Sequence, residues 1–126
     1  MFQKFFTLLL FVSLNTSAAT PTDLLAGYVS QSGQSANAFK GEDFFKVSHG
    51  QKWQCTSCHG KSPTVSGRHA STDKAIEPLA PAVNTKRFTD SAKVEKWFRR
   101  NCKDVLAREC TAAEKADVLA WLITLR

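Results

Sequence analysis

The sequence predicts an all-α single domain, and three observations carry that expectation. Four stretches place apolar residues at helical spacing, and no stretch alternates convincingly as a strand. The segment richest in Pro, Gly, Ser and Thr lies between the second and third of those stretches, where it breaks regular structure. A chain of 126 residues has the length of one domain.

The first element is a leader. Lys4 gives it a positive start, Phe5 to Val12 an apolar run, and Ser17 and Ala19 the small residues that precede a cut. The run is shorter than the roughly 20 apolar residues of a membrane span, so no lasting insertion is expected. Residues 1–19 are therefore read as a signal peptide and 20–126 as an exported, periplasmic domain.

A first helix is expected from about Thr22, with Leu24, Leu25 and Tyr28 on one side and a stop near Gly33. A second is expected over Ser35 to Val47, contributing Phe39, Phe44 and Phe45 to the core. Between Gly60 and Arg87, Pro63, Pro78 and Pro81 exclude long elements, and Ile76, Leu79, Ala80 and Val83 give the loop apolar points with which to pack. The third helix starts after Thr89 or Asp90, and Val94, Trp97, Phe98 and Cys102 fall at i, i+3, i+4 and i+8. The fourth opens with the capping-box pattern Thr111-Ala112-Ala113-Glu114 and continues through Ala116, Leu119, Leu122 and Ile123.

The full chain carries 17 Lys and Arg against 11 Asp and Glu, and losing Lys4 with the leader leaves a net +5. That charge suits acidic protein partners or plain solubility. With no recognisable nucleic-acid module, it gives no reason to expect nucleic acid.

The strongest chemical signal is Cys55-Thr56-Ser57-Cys58-His59. In one helical turn, positions i, i+3 and i+4 share a face. Both thiols can then reach the vinyl groups of one haem while the imidazole comes beneath its iron, so the motif reads as covalent attachment of a single haem c. A zinc site would need a fourth ligand from distant His49 or His69, and a thioredoxin-like pair would need a βαβ setting that the sequence lacks. Cys102 and Cys110 form no second such motif. Bonded, they close a nine-residue loop worth ~2.5 kcal/mol by chain entropy, and export favours that bond over two free thiols.

The sixth coordination position is the next question. An ordinary electron-transfer cytochrome c holds iron between His and Met. Here the only methionine is Met1, which leaves with the leader. His49, His69, a deprotonated lysine or an open position are alternatives. Asn101 is another: it takes the i+7 place on the Val94–Trp97–Phe98–Cys102 stripe, and an inward amide needs a partner. Equally, Asn101 could end the helix in a left-handed conformation. The residue pattern leaves both readings open.

Ile76-Glu77-Pro78-Leu79-Ala80-Pro81, Arg87-Phe88-Thr89-Asp90, Val94-Glu95-Lys96-Trp97, Arg100-Asn101-Cys102, Glu114-Lys115-Ala116-Asp117 and Leu119-Ala120-Trp121-Leu122 resemble the sphaeroides haem protein family (SHP) of monohaem c-type cytochromes. The resemblance covers most of the chain after the leader and implies a class I cytochrome c-like fold around one covalent haem. It implies Asn101 as the distal haem ligand and a Cys102–Cys110 disulfide. It further implies an asparagine that leaves the iron on reduction, so that ferrous haem binds O2, NO or CO, and a dihaem cytochrome c as electron partner. The basic face of Lys93, Lys96, Arg99 and Arg100 could guide such docking. Lys61 to Thr72 lies outside the matched motifs, which leaves roles for Arg68 and His69 open. Two other readings stand beside this one: a plain electron carrier with a His or Lys sixth ligand, and a haem reductase acting on O2, NO or peroxide. No acid–base pair in the sequence commits the chain to an enzyme.

Overall fold

The computed structural model describes residues 18–126, so the expected leader lies outside the described residues except for Ala18 and Ala19. Helix α1, Pro21–Ser32, starts where the Thr20 hydroxyl accepts from the Asp23 N–H and the Asp23 carboxylate accepts from the Thr20 N–H, a reciprocal cap. It ends as expected at Gly33, whose φ of 66° suits glycine. Helix α2, Ala38–Lys46, begins three residues later than expected, capped by Asn37. Phe39, expected in the core, is 82% exposed, while Phe45 is buried. Helix α3, Cys55–His59, is the motif itself.

The proline-rich loop contains a short hairpin that the sequence reading did not anticipate: β1, Gly67–Arg68, pairs antiparallel with β2, Ala75–Ile76. As expected, the loop packs, with Pro63 and Ala80 buried and the Pro63 carbonyl accepting from the N–H groups of Leu79 and Ala80. Val83, expected as a packing point, is half exposed.

Helix α4, Ser91–Leu106, is capped by Asp90, and α5, Ala112–Thr124, by the reciprocal Thr111 and Glu114 pair. Helix α5 is the axis of the fold and packs on both α1 and α2. Gly41 of α2 permits the closest approach, because a Cβ there would lie 1.9 Å from the Asp117 carbonyl oxygen of α5. Phe45, Val118, Trp121 and Leu122 form one buried cluster, and Tyr28, Ala116 and Leu119 a second. Each fully buried leucine among them contributes about 1.5–3 kcal/mol.

Helix α4 is seated differently. It stands off from the α1–α2–α5 core and is held by discrete ties. Tyr28 donates to Glu95 at 2.5 Å, Lys115 donates to the other Glu95 oxygen at 2.8 Å, and the Tyr28 and Phe98 rings meet edge to face at 5.9 Å. At its other end, Cys102 is disulfide-bonded to Cys110. A helix held off the core leaves a space beside it. No helix among the described residues is long and apolar enough to cross a membrane.

Candidate functional site

That space is a cavity of about 1120 Å³ whose wall includes α3, the hairpin, the loop before α4, and one face of α4. It exceeds the roughly 300–1,000 Å³ usual for small-molecule sites. Phe44, Phe45, Leu79, Phe88, Val94 and Phe98 give it apolar walls, and Cys55, Cys58, His59, Asn101, Cys102 and Cys110 all line it. The six residues singled out from the sequence therefore converge on one hollow. Trp97, on the same helical stripe, also lines it and stays 44% exposed. The α4 stripe faces the cavity where a protein core would otherwise stand.

Local chemistry fixes α3. The Gln54 N–H donates to the Ser57 hydroxyl at 3.0 Å and starts the turn, and Gly60, at φ 69°, ends it. Gly67 then lets the hairpin lie directly on the motif, since a Cβ there would come 2.1 Å from the Cys58 carbonyl oxygen. The Ala70 N–H reaches the Cys58 sulfur at 3.3 Å. Cys55 and Cys58 are not bonded to each other. Burial pushes the Cys55 thiol up to about 11, which keeps it neutral. Burial, with the nearby Arg87 charge, pushes His59 down to about 4. A neutral imidazole at physiological pH is the form that ligates a metal. Two unbonded thiols and a neutral imidazole on one turn, facing an apolar cavity of this volume, fit a covalently attached haem.

Asn101 lies inside α4, five residues before its end, and Ala107 takes the left-handed capping conformation at φ 57°. The helix-ending role open to Asn101 in the sequence is thus filled by another residue. The two other histidines part company. His49 packs against Phe44 with ring centroids 4.5 Å apart and planes tilted by 45°, donates from Nε2 to the Phe44 carbonyl at 2.8 Å, and is not part of the cavity wall. His69 does line the cavity, but its Nδ1 accepts from the N–H groups of Ser71 and Thr72, each at 3.3 Å. Binding iron through Nε2 would require the ring proton at Nδ1, where those two donors already point. Arg68 instead pairs with Asp73 on the surface at 3.4 Å and is not part of the wall.

One wall residue, quoted in the sequence only within a family motif, was given no role there. Arg87 donates from Nε to the Pro78 carbonyl at 2.9 Å and from Nη2 to the Glu77 carbonyl at 2.7 Å. Burial holds its guanidinium below its ordinary value, with the Glu77 charge opposing. Nothing in the sequence pattern separates it from a surface arginine. Around the cavity mouth, Lys74, Lys86, Lys93, Arg100 and Lys103 are exposed.

A family described as a domain of unknown function (DUF1924) matches residues 31–122. Cytochrome c-type protein SHP of Cereibacter sphaeroides is 48% identical over 107 residues, covering 82% of each chain. The solved structure of oxidized SHP, described as an oxygen-binding cytochrome c, matches with a TM-score of 0.79 at 46% identity, covering 83% of this chain and 96% of that one. Oxidized cytochrome c'' from Methylophilus methylotrophus matches with a TM-score of 0.72 at 37% identity, covering 84% of this chain and 94% of that one. With these likenesses over most of its length, the chain belongs to the sphaeroides haem protein family of c-type cytochromes, and its cofactor is one covalently attached haem c.

Proposed function

We propose that this chain is a periplasmic, exported electron-transfer and gas-binding cytochrome, in which Cys55 and Cys58 hold the haem, His59 is the proximal ligand and Asn101 a weak distal one. The observation that carries the reading is the place of Asn101: mid-helix, on the wall of the cavity that also receives His59, with no hydrogen bond from its amide among the described residues. Haem supplies one-electron redox chemistry and a sixth position that a diatomic gas can occupy. The Asn101 amide oxygen, neutral and weakly basic, favours the ferric state and leaves on reduction. Its N–H group is then available to donate a hydrogen bond to O2, NO or CO. That SHP is described as oxygen-binding supports this reading.

The exposed lysines and Arg100 at the cavity mouth suit an acidic redox partner, which we take to be a dihaem cytochrome c. Lys93 and Arg100 belong to the α4 face expected to guide it; Lys96 and Arg99 of that face are exposed but are not part of the cavity wall.

The test is the absorption spectrum of the purified holoprotein, oxidised, reduced, and reduced under carbon monoxide, beside the same series for Asn101→Ala. A high-spin ferrous spectrum that responds to the gas, and a ferric spectrum altered by N101A with haem still attached, are expected. An unaltered ferric spectrum in N101A would remove Asn101 as a ligand. A low-spin ferrous haem indifferent to carbon monoxide would instead favour the plain electron carrier.

A further inference from the structure

Arg87 is the half-buried cation of the cavity wall, and it plays no part in the function proposed above. We propose that Arg87 is a positioning residue whose fixed positive charge raises the reduction potential of the iron held by His59. The proposal rests on the haem-site reading above.

Geometry carries it. Both anchoring bonds of the guanidinium go to backbone carbonyls, those of Glu77 and Pro78, and the Asn84 amide braces the Pro78 carbonyl from a third direction at 3.2 Å. Carbonyls fix the group without cancelling its charge, and Arg87 forms no ion pair among the described residues. A partly buried charge is screened much less by salt than an exposed one, so its field persists across the cavity. Arg87 and His59 line the same cavity, so an iron held by His59 lies on the space that this charge faces. The same field opposes any added positive charge nearby. Ferrous haem carries one positive charge fewer than ferric haem, so the cation favours the reduced state. The Glu77 side chain carries the opposing charge, whereas its backbone carbonyl is the anchor.

The experiment is a spectroelectrochemical titration of the holoprotein and three variants. Arg87→Gln should move the midpoint potential downward. Arg87→Lys, which keeps the charge but loses the two-pronged anchor, should stay closer to wild type. Glu77→Gln, which removes the opposing charge and leaves the anchoring carbonyl, should move it upward. An unmoved potential in R87Q, or an equal fall in R87K and R87Q, would overturn the proposal and make Arg87 a backbone clamp. If R87Q does not accumulate as holoprotein, E77Q decides, and a potential that fails to rise there overturns the proposal equally. Failure of the haem-site reading is separately visible as absence of covalent haem in the wild-type protein.

Discussion

Replacing Glu95 tests how α4 is held. The carboxylate joins three helices: it accepts from the Tyr28 hydroxyl of α1 at 2.5 Å and from Lys115 of α5 at 2.8 Å. Tyr28 is 3% exposed and the Lys115 side chain 16%, so neither finds water easily once its partner is gone. A hydrogen bond to a charged group is worth roughly 1.5–3 kcal/mol, and stranding a buried donor costs a similar amount. The Glu95 side chain is itself 43% exposed, which discounts the ionic part. Glu95→Ala should therefore destabilise the holoprotein by about 2 kcal/mol, or about 10 °C in Tm for a domain of this size. Glu95→Gln keeps an acceptor for Tyr28 and should lose about half of that. The pH dependence has a definite sign. Burial pushes the Glu95 carboxyl up, but the hydrogen bonds from Lys115 and Tyr28, with the Lys115 and Arg99 charges, outweigh it and hold the carboxyl below its ordinary 4.5. The stabilisation is thus fully present above that value and is lost as pH falls through the lower, folded one. Thermal unfolding followed by far-UV circular dichroism, with Tyr28→Phe completing a double-mutant cycle, measures all of this. Additive losses in E95A and Y28F, or an E95Q protein with an undiminished acid slope, would show that the network does not hold α4.

Two further changes address the same helix. Replacing both Cys102 and Cys110 with alanine removes the tie at the far end of α4, and for the nine-residue loop it should cost ~2.5 kcal/mol, read as a lower denaturant midpoint. A midpoint equal to that of the parent would deny the disulfide a stabilising role. Ala107→Gly should act in the opposite direction, because a φ of 57° costs an alanine roughly 1–2 kcal/mol that glycine does not incur. A gain of about 1 kcal/mol in chemical unfolding is expected, and a loss would mean that the left-handed cap is not what limits the end of α4.

What the sequence made legible is local. Asp90, Thr111 and Glu114 announced two helix starts because a cap is settled within four residues. The motif turn was legible for the same reason, since i, i+3 and i+4 converge in any helix. The misplaced features all depend on partners far along the chain. Phe39 looked like a core residue, but the face that α2 buries is chosen by Gly41 meeting the Asp117 backbone, and that choice turns Phe39 outward. The hairpin at Gly67–Arg68 and Ala75–Ile76 has only two residues in each strand, and its seat on the Cys58 carbonyl is invisible to any pattern of alternation. Tyr28, Glu95 and Lys115 lie 67 and 20 residues apart, and nothing in their spacing marks them as partners.

The α4 stripe is the instructive case, because the pattern was legible and its meaning was not. Val94, Trp97, Phe98 and Asn101 read as the inward face of a helix, and inward means toward other protein in an ordinary bundle. Here that face lines a cavity, and the helix is fastened by a carboxylate fork and a disulfide instead of by broad packing on its neighbours. A stripe with an amide at its centre is poor material for a protein core, since the amide would have to be satisfied by a neighbour. Set against a cofactor, the same amide faces a site where a polar group is useful. The fastening therefore matters to the chemistry as well as to stability. The ties at Glu95 and Cys102 lie on either side of Trp97, Phe98 and Asn101, so the reach of Asn101 into the cavity is set by how firmly those two points hold.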